Sequence, residues 1–181
     1  MSSNLDYLNR VYLRIDLDKI CNNIKEVINK VGKDTKVMAV VKADAYGHGA
    51  IEVSKALSEI GTYGFAVATV GEALALRRAG ITKPILILDF VFPNQFETII
   101  RNDIMLTVFR YEIAKELNEA AEQMGTTAHI HIKVDTGMGR IGFIPDDESI
   151  DEIRGSLSSR TLRSTEFSPT LHVRTKRTKP R

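Results

Sequence analysis

Several things are scarce or missing in this 181-residue chain. It has one cysteine, Cys21, and no tryptophan. A lone cysteine excludes a disulfide framework and a zinc site built from thiolates. No window approaches 18 consecutive apolar residues, which argues against a spanning helix. The start, Met1-Ser2-Ser3-Asn4, lacks the basic-then-apolar pattern of a secretory signal. Generalised disorder is excluded too, because 43% hydrophobic and 27% charged residues are ordinary for a globular domain. The expectation is a cytoplasmic enzyme or binding domain, one domain in size, with no membrane partner.

Acidic residues are almost absent from one end. Residues 1–153 carry 17 Lys/Arg against 22 Asp/Glu, whereas residues 154–181 carry 8 Lys/Arg against Glu166 alone. The apolar periodicity stops where the sign changes. The chain therefore divides into a patterned part, 1–153, and a basic tail, 154–181, expected to be disordered. Beyond Phe167 the tail has no aromatic interleaving, so only its charge points to nucleic acid, and no nucleic-acid partner is expected.

The patterned part alternates strands with helices. Tyr12 to Leu17 alternates like a strand, and Asp18 can cap a helix with Ile20, Ile24, Val27, Ile28 and Val31 on its apolar face. Lys36 to Lys42 is a nearly continuous apolar run, as in a strand buried on both faces. Further strands are predicted over Tyr63–Val70, Pro84–Phe90, Met105–Phe109 and Ala128–Asp135. Helices are predicted over 49–60, 72–79, 94–101 and 111–124, with another beginning at Asp146. Strands separated by helices pair in parallel through right-handed crossovers. Both an open doubly wound sheet and a (β/α)8 barrel fit. Eight βα units need roughly 200 or more residues, so a barrel would be incomplete here.

The chemistry concentrates after the second predicted strand, in Val40-Val41-Lys42-Ala43-Asp44-Ala45-Tyr46-Gly47-His48-Gly49. A lysine closing an apolar strand is either reaching for solvent or held as a desolvated amine. Gly47 and Gly49 permit a tight turn that presents backbone amides at the next helix, which suits a phosphate. Tyr46, four residues from Lys42, could reach the same ligand. A desolvated lysine beside a phosphate-binding turn is what pyridoxal phosphate (PLP) requires. In His129-Ile130-His131-Ile132-Lys133-Val134-Asp135 the polar residues share one face. Lys133 could simply pair with Asp135. His129 and His131 have no matching ligand set elsewhere, so no metal is expected. Cys21 reads as core and His48 as a turn residue.

The run V-V-K-A-D-A-Y-G-H-G resembles the PLP-binding motif of bacterial alanine racemases. So do Ile15-Asp16-Leu17, Gly71-Glu72-Ala73, and the stretch from Lys133 to Phe143 (K-V-D-T-G-M-G-R-I-G-F). The resemblance runs from about Tyr12 to Ile153. It implies the N-terminal part of a PLP-dependent (β/α)8 TIM barrel, about six βα units, without the family's C-terminal β-domain. It implies interconversion of L- and D-alanine for D-alanine and cell-wall synthesis, in a homodimeric family. By resemblance, Lys42 carries the cofactor and is one of two acid/bases. Tyr46 binds the cofactor phosphate, Arg140 holds the substrate carboxylate, and Lys133 orients Arg140, as a carbamate in many members. The second acid/base of the family, a tyrosine from the partner subunit, lies outside these 181 residues, so the chain alone is expected to be inactive. Another barrel-fold PLP racemase or decarboxylase, or a PLP-binding remnant without turnover, are the alternatives.

After Ile153 the family continues toward a Thr-His-Phe segment that this chain lacks. Codons for 165–176, read one base out of frame, permit G-I-F-T-H-F-A-x-A-D-E, which resembles that segment. The tail is accordingly expected to be a frameshift product.

Overall fold

A computed structural model describes residues 11–158 and 161–170. The sheet has six parallel strands, β1 (Met38–Val40), β2 (Gly64–Val67), β3 (Ile85–Ile87), β4 (Met105–Val108), β5 (Ala128–Asp135) and β6 (Leu162–Thr170). The strands pair in chain order, β1-β2-β3-β4-β5-β6. A doubly wound sheet reverses its order at a switch point. An unreversed order with a helix between each strand and the next is the winding of a (β/α)8 barrel, here left open between β1 and β6 among the described residues.

Six helices accompany the strands among the described residues: α1 (Leu17–Val31), α2 (Ala50–Ser58), α3 (Val70–Arg78), α4 (Phe96–Arg101), α5 (Tyr111–Gln123) and α6 (Asp147–Leu157). Alternate strand residues serve two different surfaces. Phe65, Val67, Ile85, Ile87, Leu106, Val108, Ile130 and Ile132 pack outward with Leu57, Leu76, Ile99 and Leu117 of the helices, forming the main core. Ala66, Leu86 and Met105 face the other way and form a small separate cluster with Met38 and Leu88. In parallel register, Thr107 lies beside His131, which puts His129, His131, Lys133 and Asp135 on that inner face. The shared polar face predicted for β5 is thus the inner wall of the sheet. Among the described residues, no helix is long and apolar enough to cross a membrane.

The structure departs from expectation in three places. Residues 12–17 form no strand: Val11, Tyr12 and Leu13 are 87%, 70% and 78% exposed, and an alternating segment becomes a strand only where another strand's edge accepts it. The cap of α1 is Asp16, whose Oδ1 accepts the Lys19 amide at 3.2 Å, while Asp18 lies in the first turn. The boundary at 153/154 falls inside α6, and residues 162–170 of the tail run parallel to β5 along its whole length. Backbone pairing to an open sheet edge, rather than an apolar pattern, makes this strand. Pro169 is tolerated because β6 is an edge strand. The rest of the tail, 159–160 and 171–181, lies outside the described residues.

Opposite the site, at the N-terminal ends of the strands, two cations brace the loops. Lys83 Nζ donates to Thr62 O at 2.7 Å, ahead of β2. Arg77 of α3 donates to the carbonyls of Ile81 and Lys83, ahead of β3, and of Asn102 and Asp103, ahead of β4, at 2.7–2.9 Å.

Candidate functional site

Two groups of residues gather at the C-terminal ends of the strands, the end where parallel α/β sheets carry their sites. The first begins with Lys42. Val41, just past the end of β1, packs in the core, and Lys42 after it is half-buried. The next four residues, Ala43, Asp44, Ala45 and Tyr46, all have φ between 50° and 56° and ψ between 39° and 49°. They form a left-handed helical turn. Each non-glycine residue in that conformation costs about 1–2 kcal/mol, so four in succession cost about 4–8 kcal/mol, where single residues are the rule. Gly47 (φ 83°) and Gly49 (φ 87°) then carry the chain into α2.

Such a conformation persists only where its surroundings over-determine it. Within the turn, Ala45 N donates to Val41 O at 2.9 Å and Gly49 N to Asp44 O at 3.0 Å. The Asp44 carboxylate accepts the Ala50 amide at 2.7 Å, and the His48 ring Nδ1 lies 2.8 Å from Ala45 O. From outside, Glu72 Oε1 accepts the Ala43 amide at 2.7 Å. Its Oε2 accepts the amides of Ala68, at 2.7 Å, and Thr69, at 3.1 Å. Thr69 Oγ1 in return accepts the Glu72 amide, completing a capping box on α3.

These bonds correct one expectation. The amides of Gly49 and Ala50 are not presented to a phosphate; Asp44 takes both. A carboxylate six residues upstream competes for the helix N-terminus, and it is already in place. His48 is a turn residue, as expected, and Cys21 is half-buried where α1 meets the core. Tyr46 is 62% exposed at the end of the left-handed turn.

The second group surrounds the end of β5. Lys133 is 8% exposed, and its Nζ donates to Ile141 O at 2.5 Å. Burial lowers its pKa first, the nearby Arg140 charge lowers it further, and Asp135 and Asp89 act in the opposite direction. Asp135 closes the loop that follows. Its Oδ1 accepts the amides of Gly137, Met138 and Gly139 at 2.8–3.1 Å, and Oδ2 accepts that of Arg140 at 2.9 Å. These donors hold its carboxyl below the usual range, Gly137 and Gly139 foremost. The loop returns to the strand through Phe143 N, which donates to Lys133 O at 2.8 Å, and Asp135 N, which donates to Phe143 O at 2.9 Å. Gly142 permits this: a Cβ there would fall against the backbone nitrogen and Cβ of Asp135. A simple Lys133–Asp135 pair is therefore not what the sequence pattern builds. Asp135 spends its oxygens on the loop and reaches Lys133 only through space.

The structure thus brings Lys133 and Arg140 together, with Asp89 and Asp135. It places Lys42 and Tyr46 at the same end of the sheet, in the turn that follows β1. Asp89, at the end of β3, and Glu72 were missed by sequence reasoning, although Thr69-x-x-Glu72 is a legible capping signature. Among the described residues, no three His, Cys, Asp or Glu side chains are grouped to hold a metal ion.

A half-buried lysine just past the end of a strand, at the same end of the sheet as a second, buried lysine and an exposed arginine, fits an aldehyde cofactor with anionic substituents. The chain is 49% identical over 147 residues to an alanine racemase of Clostridium tetani, covering 81% of this chain and 38% of that protein. It therefore spans about two-fifths of the length of the curated relatives it matches. An alanine racemase structure from Clostridium difficile 630 superposes with a TM-score of 0.79 at 40% identity, covering 84% of this chain and 40% of that one. A histidine racemase from Leuconostoc mesenteroides superposes at 0.73 with 29% identity, covering 82% and 40%. The sequence model of the family described as "Alanine racemase, N-terminal domain" matches residues 15–164. On that match, together with the barrel winding and the Lys42 turn, this chain belongs to the alanine racemase N-terminal domain family.

Proposed function

We propose that this chain is the N-terminal barrel part of a cytoplasmic PLP-dependent enzyme that interconverts L- and D-alanine. The observation that carries the reading is Lys42, a half-buried amine leaving β1 into a strained left-handed turn at the C-terminal end of the sheet. PLP, when bound, supplies an aldehyde for an amine and an acceptor for the electron pair left at the substrate Cα.

The chain's own residues then divide the work. Lys42 holds the cofactor and moves a proton at the substrate Cα on one face. The Tyr46 hydroxyl donates to the cofactor phosphate, in place of the amides that Asp44 occupies. Arg140 binds the substrate carboxylate, and its loop is fixed by the four amides on Asp135. The second proton, on the opposite face, belongs to a tyrosine that the family draws from a partner subunit. Lys133 as an ammonium would repel the neighbouring Arg140. Its lowered pKa favours the neutral amine, whose nitrogen attacks the carbon of CO2 and sheds a proton to solvent. The resulting carbamate is an anion that attracts and orients the guanidinium.

The test uses the purified chain with PLP. Long-wavelength absorbance from PLP joined to an amine is expected, and it should disappear in Lys42→Ala. Absorbance that survives that change refutes the assignment. Racemisation of alanine by the 181-residue chain alone is not expected, because only one of the two acid/bases is present. The superposition with a histidine racemase favours a second reading, an amino-acid racemase of different side-chain preference on the same barrel. Turnover of other amino acids by the chain joined to the missing portion would select it.

A further inference from the structure

Four consecutive left-handed residues directly after Lys42 demand a restraint: Ala45 is buried in the core, and among the described residues the side chain that bonds the turn's backbone from a distant element is the carboxylate of Glu72. Glu72 stands 29 positions downstream of Ala43 and meets it at 2.7 Å. The Ala43 amide belongs to the peptide plane adjoining the Lys42 Cα, so this bond fixes the backbone from which the Lys42 side chain departs. The other oxygen of Glu72 takes Ala68 N and Thr69 N, at the end of β2. Glu72 is itself immobilised in the first turn of α3 by the Thr69 hydroxyl. Three backbone donors thus converge on two carboxylate oxygens, and the ends of β1 and β2 are tied through one side chain.

We propose that Glu72 is a positioning residue: it clamps the left-handed turn and thereby aims Lys42 at the cofactor. This rests on the reading of Lys42 as the cofactor-bearing amine. The geometry requires a carboxylate. A glutamine of the same length has one acceptor oxygen, and its NH2 would face either the Ala43 amide or the pair from Ala68 and Thr69, donor against donor. An ordinary capping box needs Glu72 only for the local amide of its own cap; the bond to Ala43 is additional to that role.

The experiment compares the unaltered chain with Glu72→Gln, Glu72→Asp, Thr69→Ala and the double variant Glu72→Gln/Ala43→Gly. It reads the φ-sensitive couplings of Ala43–Tyr46 by NMR, the PLP affinity from absorbance, and the pH midpoint of that absorbance. Glu72→Gln should weaken PLP binding by at least about tenfold, the ratio implied by losing one charge-assisted hydrogen bond. It should also shift the pH midpoint and abolish the left-handed couplings. Glu72→Asp, too short to reach Ala43, should do the same should Glu72→Gln fail to fold. Glycine at position 43 relieves the left-handed penalty and should restore much of the affinity. Thr69→Ala, which removes the hydroxyl that immobilises Glu72, should weaken PLP binding in the same direction but by less than Glu72→Gln. The inference is overturned where Glu72→Gln keeps the left-handed couplings and binds PLP within about twofold of the unaltered chain. Should the absorbance prove independent of Lys42, the cofactor reading fails by itself, and the NMR couplings still decide whether Glu72 holds the turn.

Discussion

Replacing Arg77 with alanine should cost stability without touching the proposed cofactor site. The guanidinium donates four hydrogen bonds, to the carbonyls of Asn102, Ile81, Lys83 and Asp103. Three of these contacts are part-buried and the one to Asp103 is exposed, so water can replace the last when the side chain is removed. A hydrogen bond to a charged group contributes about 1.5–3 kcal/mol, and neighbouring bonds of one side chain do not add. Counting the part-buried contacts at the low end and discounting for overlap, the loss is about 3 kcal/mol. For a chain of this size that lowers the melting temperature by about 6–12 °C. Burial lowers the Arg77 pKa, Asp103 opposing, which reflects the same partial desolvation that makes its loss costly. The assay is thermal melting by circular dichroism, paired with PLP absorbance measured well below the melting point. Because Arg77 braces the N-terminal ends of β3 and β4, absorbance at low temperature should be unchanged. A melting shift under about 2 °C would refute the assignment of Arg77 as a brace.

The loop after β5 should respond to acid in a defined direction. Its cap, Asp135, has a folded pKa below the ordinary value, so the stabilisation is complete above about pH 4 and is lost as pH falls through the lower folded value. A side-chain NMR titration should show Asp135 titrating below the ordinary carboxylate range; a midpoint at or above about 4 contradicts the four-amide cap. Carbamylation is checked with 13C-labelled bicarbonate. A carbamate signal should grow as pH rises and the Lys133 amine loses its proton, and should vanish in Lys133→Ala. A signal that remains in that variant places the modification elsewhere.

Much of the barrel was legible because its strands are local patterns. Ala128–Asp135 was bounded by its alternation alone, since one face meets helices and the other carries His129, His131, Lys133 and Asp135. The apolar runs around β1 to β4 and the periodic helices between them likewise follow from residue type, as does the presence of a lysine at the end of β1. Several decisions could be made only by tertiary contact. Sheet order separates a barrel from a doubly wound sheet, and pairing order is not written in any single strand. Residues 12–17 alternate yet pair with no described strand, whereas 162–170 pair with β5 without an apolar run of their own. The left-handed turn was invisible because Ala, Asp and Tyr do not favour it locally; the Glu72 carboxylate, distant in sequence, is its external support. Asp44 settled where the amide of Ala50 goes, and Asp135 that its oxygens serve the loop rather than Lys133, by taking donors two to six residues away that the turns bring within reach. Composition and periodicity determined which surfaces would be buried. A long-range hydrogen bond, from the Ala43 amide to Glu72, determined how the backbone beside Lys42 is held, because it depends on a group that sequence separation hides.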